Sequence, residues 1–278
     1  MGPESLPGWD GFVTSDIPLG ASLSSSAALE VGALRVFGAL GGLAWDPVVA
    51  ALLAQRAETD WVGMNSGIMD QLVCTSGSAG HALLFDCRDL STTPVPIPAG
   101  VSVVILDTST RRKLTESRYN DRRAECEAAA QQYGVDSLRD LRLAELPDGG
   151  GPEALGRRAR HVVSENGRVL SAVEALRNGD VASFGYLMNE SHESLRDDFE
   201  VSSAELDSIV EAARAVEGCL GARMTGGGFA GCAVALVEAH AAGSFAVRVA
   251  ETYEEATGLI PSIYPSVPSN GVSLERLS

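Results

Sequence analysis

The spacing of apolar and polar positions changes several times along the chain, and each change predicts an element. Residues 11–17 are β-rich and predict a strand. From about 27 to 40 the apolar positions take helical spacing, and Gly41-Gly42 closes that helix. Asp46-Pro47 opens a second helix by N-cap and proline-first-turn logic. Val48, Ala51, Leu52 and Ala54 form its apolar face, and it runs to about Trp61 with Glu58 and Asp60 near its end. A glycine-bounded loop, 63–67, separates it from regular structure at 68–73 that is best read as helix. Residues 81–85 and 101–106 predict strands, and a charged helix follows over about 116–133.

The segment Pro147-Asp148-Gly149-Gly150-Gly151-Pro152 is the clearest break, and it divides the chain into 1–150 and 151–278. Beyond it the pattern is helical from 153 to about 216, interrupted near Gly179-Asp180 and again near 198–203. A sharp glycine-rich turn over 221–231 leads to a strand at 232–237, a helix at about 240–257 and a last strand near 260–264. Strands alternating with long helical runs define an α+β protein with a mixed or antiparallel sheet.

The chemistry starts between the first predicted strand and the first helix, at Gly20-Ala21-Ser22-Leu23-Ser24-Ser25-Ser26. Gly20 and its small neighbours let backbone approach a ligand closely. The three serines set hydroxyls and free N–H groups at a helix N-terminus, where the helix dipole favours an anion. A phosphate cradle and a serine-capped helix after a turn both fit these residues. The common phosphate loop is excluded, because it needs lysine after glycine and the chain's single lysine, Lys113, follows Arg111-Arg112. The same shortage excludes a protein-kinase lysine strand, and G-x-G-x-x-G is absent. Any nucleotide must be held by amides, hydroxyls and a metal.

Composition narrows the setting. With 37 Asp and Glu against 21 Lys and Arg, the formal charge of −16 argues against a nucleic-acid or anionic-membrane surface as the main partner. The 5 cysteines, at 74, 87, 126, 219 and 232, are scattered, odd in number and without a C-x-x-C, which fits a reduced cytoplasmic protein. The 4 histidines, at 81, 161, 192 and 240, show no metal-ligand spacing. No apolar run reaches membrane-spanning length, and Met1-Gly2-Pro3-Glu4 lacks the pattern of a signal peptide.

Three features now stand together: the serine-rich loop, Gly67-Ile68-Met69-Asp70-Gln71, and Gly226-Gly227-Gly228 before Phe229. With Gly80-His81-Ala82-Leu83-Leu84-Phe85-Asp86-Cys87-Arg88, Tyr119-Asn120-Asp121-Arg122-Arg123 and Ser191-His192-Glu193-Ser194-Leu195-Arg196, they resemble the GHMP small-molecule kinases, and among them the galactokinases, over almost the whole chain. The resemblance implies two lobes: one like ribosomal S5 domain 2, missing its first strands, and one ferredoxin-like. It implies ATP-dependent phosphorylation of galactose at O1, with Mg2+ required. Related readings change the sugar to arabinose or N-acetylgalactosamine, or make the protein a non-catalytic galactose- and ATP-binding regulator.

Roles follow position by position from that resemblance. Asp70 is the catalytic carboxylate, placed to take the proton of the sugar C1 hydroxyl, and Gly67, Asp70 and Tyr119 contact the sugar. Glu58, 12 positions before Asp70, is the magnesium carboxylate, and Ser26 is the hydroxyl beside it in the metal shell. Gly20, Ala21, Ser22, Leu23, Ser24, Ser25 and Ser26 surround the ATP phosphates, and Gly226, Gly227 and Gly228 form the third motif. Two positions depart from the pattern: Ser22 and Ala230 stand where the family has glycine, and a β-carbon costs about 1–2 kcal/mol wherever φ must be positive. The family's leading segment, with an arginine for the transferring phosphoryl group and a sugar-gripping stretch, has no counterpart among these residues. The 278 residues alone are therefore expected to turn over slowly at best, and to leave apolar helix faces uncovered.

Overall fold

The structure is a computed structural model describing residues 8–18, 23–63, 67–110 and 115–276. Its contacts divide the chain into two compact units, one comprising residues up to Pro96 together with those from Pro268, the other Ile97–Val267. The glycine-rich break at 147–152 falls inside the second unit. There Pro147–Gly150 forms a 3-10 turn whose Gly149 carbonyl accepts from Arg160 at 2.9 Å. Glycine and proline punctuate a tight turn as readily as a linker, so composition there marks a corner and not the division between units.

The first unit is built on three helices, α1 (Ser25–Leu40), α2 (Pro47–Ala57) and α3 (Met69–Ser76), followed by an antiparallel hairpin of β1 (His81–Phe85) and β2 (Thr92–Pro96). Ala51, Ile68 and Leu72 form a buried cluster with Phe85 and Leu90 packed against them, and Ala27 and Val31 of α1 are buried as well. The Asp46 carboxylate accepts from the Val48 and Val49 amides at 2.9 and 3.0 Å, so α2 starts as predicted, with Pro47 in its first turn. The returning segment fastens the end of α3. Val272 N–H donates to the Cys74 carbonyl at 2.7 Å, and the Asn270 side chain accepts from Ala79 N–H at 2.9 Å.

Residues 11–17 form no strand. Phe12 and Val13 stand 102% and 73% exposed, without a neighbouring strand among the described residues to accept their ladder bonds. Leu29, Val49, Leu52, Leu53, Met69 and Val73 are likewise exposed, so the helices keep apolar faces without partners among the described residues. β2 was not legible because its sequence, Thr-Thr-Pro-Val-Pro, carries two prolines, which a two-stranded edge tolerates.

The second unit holds one four-stranded antiparallel sheet. Its strands are β3 (Val101–Asp107), β4 (Cys219–Met224), β5 (Cys232–Glu238) and β6 (Ser262–Ser266), in the order β4-β5-β3-β6. Helices α4 (Thr115–Gln132), α5 (Ala154–Arg177), α6 (Val181–Asp197), α7 (Ala204–Arg214) and α8 (Ala242–Thr257) complete a ferredoxin-like unit with added helices. Val104 and Leu106 of β3 share a core with Ile209 and Val210 of α7 and with Phe245, Val249 and Tyr253 of α8. α6 rests on β4 through two glycines: a β-carbon at Gly221 would lie 2.1 Å from the Gly185 carbonyl oxygen. That glycine, with Arg223 in the same strand, is why β4 did not read as a strand. No helix among the described residues is long and apolar enough to cross a membrane.

His161 of α5 is buried, stacks on Phe199 at 4.4 Å and hydrogen-bonds the Ser194 hydroxyl at 2.9 Å. Burial pushes its pKa down from 6.5 to about 4. The unfolded chain takes up this proton near 6.5, so native stability declines as pH drops from there toward 4, by about 2 kcal/mol between pH 7 and 5. His161→Phe keeps the stacking and should flatten that slope in urea melts at the two pH values. An unchanged slope would assign the acid sensitivity to another group.

Candidate active site

Glu58 sits where α2 changes its winding. The Gly63 amide donates to the Glu58 carbonyl five residues back, at 3.0 Å, and Glu58–Val62 runs as a π turn. Such wide turns insert an extra residue into a helix and cluster at functional sites. Here Glu58 is 5% exposed, whereas Asp60 two residues on faces solvent and pairs with Arg56.

Two helices supply hydrogen bonds to this buried carboxylate. Ser26, exposed in the first turn of α1, donates from Oγ to Glu58 Oε1 at 2.5 Å. Gln71, fully buried in the first turn of α3, donates from Nε2 to Glu58 Oε2 at 2.9 Å. Without such donors a carboxyl group this deep would be costly to bury. Asp70 precedes Gln71, is half-buried and accepts a hydrogen bond from the Ser24 side chain. Burial raises the Asp70 pKa above the ordinary carboxylate value; the Ser24 bond pulls it back, and the Glu58 charge pushes it up again.

Ser24 enters α1 in an unusual conformation. Its φ is 59° and ψ 33°, in the left-handed region that costs a non-glycine residue about 1–2 kcal/mol. Its side chain does not cap α1 but turns to Asp70. The first backbone bond of α1 runs from Ala28 N–H to the Ser24 carbonyl at 3.0 Å, and no side chain among the described residues caps the amides before it. An uncapped N-terminus fronted by hydroxyls suits an anion, and local strain of this kind gathers at functional sites. Leu23, Ser24, Ser25 and Ser26 are thus brought beside Asp70 and Glu58, while Gly20, Ala21 and Ser22 lie outside the described residues. Gly67 leads directly into Ile68 and α3, one turn from Asp70.

Glu30 is a member of the site that the sequence did not single out. It follows Ser26 by one helical turn on α1, the spacing that puts both on one face, and that was the available signal. Its side chain hydrogen-bonds Gln71, and burial followed by the Glu58 charge raises its pKa. Among the described residues, no three His, Cys, Asp or Glu side chains form a metal-holding group. What exists is an open pair of hard oxygens, Ser26 Oγ and Glu58 Oε1. Adjacent oxygen ligands of a magnesium ion lie about 3 Å apart, so a small separation of this pair would admit such an ion.

The third motif belongs to the second unit, as the turn joining β4 to β5. Gly228 has φ 80°, and a β-carbon there would lie 2.2 Å from the Val201 carbonyl oxygen, which also accepts from Phe229 N–H at 2.6 Å. The Tyr119 ring packs against Gly227: a β-carbon at that glycine would sit 3.1 Å from Tyr119 Cδ2. Ala230, buried at 5% exposure, is not among the residues with positive φ, so its β-carbon carries none of the expected conformational cost.

Residues 2–78 match the family described as GHMP kinases N terminal domain, and residues 172–255 match GHMP kinases C terminal. Two units of this kind, one with a serine-rich helix start and one with a glycine turn, define a GHMP-type small-molecule kinase. A galactokinase of Roseiflexus sp. is 48% identical over 276 residues, 97% of this chain and 71% of the relative. That of Haemophilus influenzae is 45% identical over 278 residues, 97% and 72%. The crystal structure of Lactococcus lactis galactokinase complexed with galactose superposes with a TM-score of 0.88 at 40% identity, covering 92% of this chain and 68% of that one. Leishmania (L. major) mevalonate kinase, at 22% identity and TM-score 0.59, shares the fold. The chain belongs to the galactokinase family.

Asp70→Asn should raise the melting temperature at pH 7. The raised pKa means that folding disfavours the ionised form, so native stability is lost as pH rises through the folded-state value and is restored below the ordinary value of 3.8. The amide keeps an acceptor for Ser24 without the charge. Thermal melts at pH 7 and pH 4 should show the gain shrinking toward acid; a gain of equal size at both would point to packing instead.

Proposed function

We infer that the chain transfers the γ-phosphoryl group of ATP to O1 of galactose. Asp70 carries this reading: a carboxylate disfavoured as an anion, oriented by Ser24 and adjoining an uncapped helix N-terminus. The family relationship and the galactose-bound relative support the substrate. No observation favours a non-catalytic regulator or another sugar.

In this reading Asp70 accepts the proton of the sugar O1 hydroxyl as that oxygen attacks, or holds the hydroxyl in line, and either role needs the ionised carboxylate. The Ser24 hydrogen bond fixes which oxygen faces the sugar. The amides and hydroxyls of residues 20–26 bind the phosphates, with the helix dipole in place of the lysine this loop lacks. Ser26 and Glu58 hold Mg2+, which when bound neutralises charge on the phosphates. Gly67 and Tyr119 are assigned to the sugar, and Gly226, Gly227 and Gly228 to closing the loop on the ligand. The hard-oxygen donor pair supports the metal assignment, and Tyr119 packed on Gly227 supports a shared role for those two residues.

Asp70→Asn in the full-length protein should lower kcat by about a hundredfold or more with little change in ATP binding, since it removes a group used only as the proton moves. For the parent protein, kcat/KM should fall on the acid side of a pKa above the ordinary carboxylate range. Full turnover by the Asn variant would remove Asp70 from the chemistry. Glu58→Gln should instead raise the Mg2+ requirement, because an amide is a poorer ligand for a hard cation. An unchanged Mg2+ titration would take Glu58 out of the metal shell.

A further inference from the structure

Gln71 is completely buried, adjoins Asp70 in the chain and joins two acidic side chains without itself being acidic. Its amide nitrogen donates to Glu58 Oε2 at 2.9 Å, and its side chain also bonds Glu30. Two acceptors in this cluster, Gln71 Oε1 and Glu30 Oε2, are buried and have no hydrogen-bond partner among the described residues. Folded proteins leave few polar atoms in that state, because each forfeits the hydrogen bonds it would make to water. A methionine, with two carboxylate-facing contacts fewer, would fill the same volume. The cluster is therefore arranged for something other than stability.

What it does is visible in the way the contacts are shared around Glu58. Ser26 reaches one carboxylate oxygen from the exposed side, and Gln71 holds the other from the buried side. A carboxylate gripped at its inner oxygen cannot rotate its outer oxygen away from Ser26 without breaking that bond. Gln71 has its own torsional freedom, which Glu30 restrains. The order of support runs from Glu30 to Gln71 to Glu58.

We propose that Gln71, steadied by Glu30, is a positioning residue that fixes the Glu58 carboxylate for metal binding beside Ser26. The proposal rests on the assignment of Glu58 as the metal carboxylate. Ligand-orienting partners of this kind are typically worth tenfold to a hundredfold in metal affinity. A carboxylate free to rotate would still bind the ion but would first have to be ordered, so the loss falls on affinity more than on the chemical step.

The test uses the full-length protein with ADP and Mn2+ as the probe, read by electron paramagnetic resonance. Gln71→Met should weaken Mn2+ binding by about tenfold and raise the half-saturating Mg2+ concentration to match, with kcat at saturating Mg2+ recovered to within about threefold. Glu30→Gln should weaken Mn2+ by about threefold, and the double variant should be no weaker than Gln71→Met alone, because both act through one chain of bonds. Additive losses, or a folded Gln71→Met protein with parental Mn2+ affinity, would overturn the proposal. Glu58→Gln separates the two readings. If it weakens Mn2+ while Gln71→Met and Glu30→Gln do not, positioning fails and the metal assignment stands; if none of the three changes the affinity, both fall. Should Gln71→Met fail to fold, Glu30→Gln with parental Mn2+ affinity overturns the proposal by itself.

Discussion

A single carboxylate, that of Glu58, constrains how the first unit is put together. Buried, it needs donors on its oxygens, and Ser26 on α1 and Gln71 on α3 supply them from opposite directions. Three helices thereby meet at one point, and Ala51, Ile68 and Leu72 form an apolar cluster in the same unit. Removing either donor takes a hydrogen bond from a buried carboxyl group, so the site and the packing of these helices are one energetic problem.

Charge accumulates around that point. Glu30 and Asp70 each have their pKa raised by burial first, with the Glu58 charge adding to it. A fold selected for stability alone would dilute such a group of acids, and perturbed acids of this kind gather at functional sites. The strain at Ser24 has the same character: a left-handed serine gives up the capping bond of α1 and spends its hydroxyl on Asp70.

The helices of the first unit were legible because their signals are local. Asp46-Pro47 announces α2, and Gly67-Ile68-Met69-Asp70-Gln71 places Asp70 at a helix start. The serine-rich loop showed its chemistry but not its geometry, since no propensity foretells that Ser24 turns left-handed when its partner lies 46 positions away in the sequence. Glu30 was missed because it looks like any acid on a solvated helix face, and its spacing from Ser26 is a weak signal until its bond to the buried Gln71 is seen. The π turn at Glu58 escaped notice because helical periodicity does not reveal where a helix widens. The predicted strand at 11–17 failed for the opposite reason, because its β-rich residues have no strand alongside them among those described. The glycine break at 147–152 misled because the division between units is made by contacts formed across the chain, and these return residues from Pro268 onward to the first unit.

That return has a consequence for the order in which the protein can be made. The end of α3, one turn beyond Asp70, is fastened by Val272 and its neighbours, and the bond from Gly80 N–H to the Pro268 carbonyl, at 3.0 Å, joins the same seam. Pro268 lies 192 positions after Ser76, and the whole second unit is translated between them. At about 5–20 residues per second, the ribosome delivers the fastening segment some 10–40 s after the helix it secures. The acidic cluster is thus synthesised early and locked late, and during that interval the exposed apolar helix faces are open to whatever else is folding nearby.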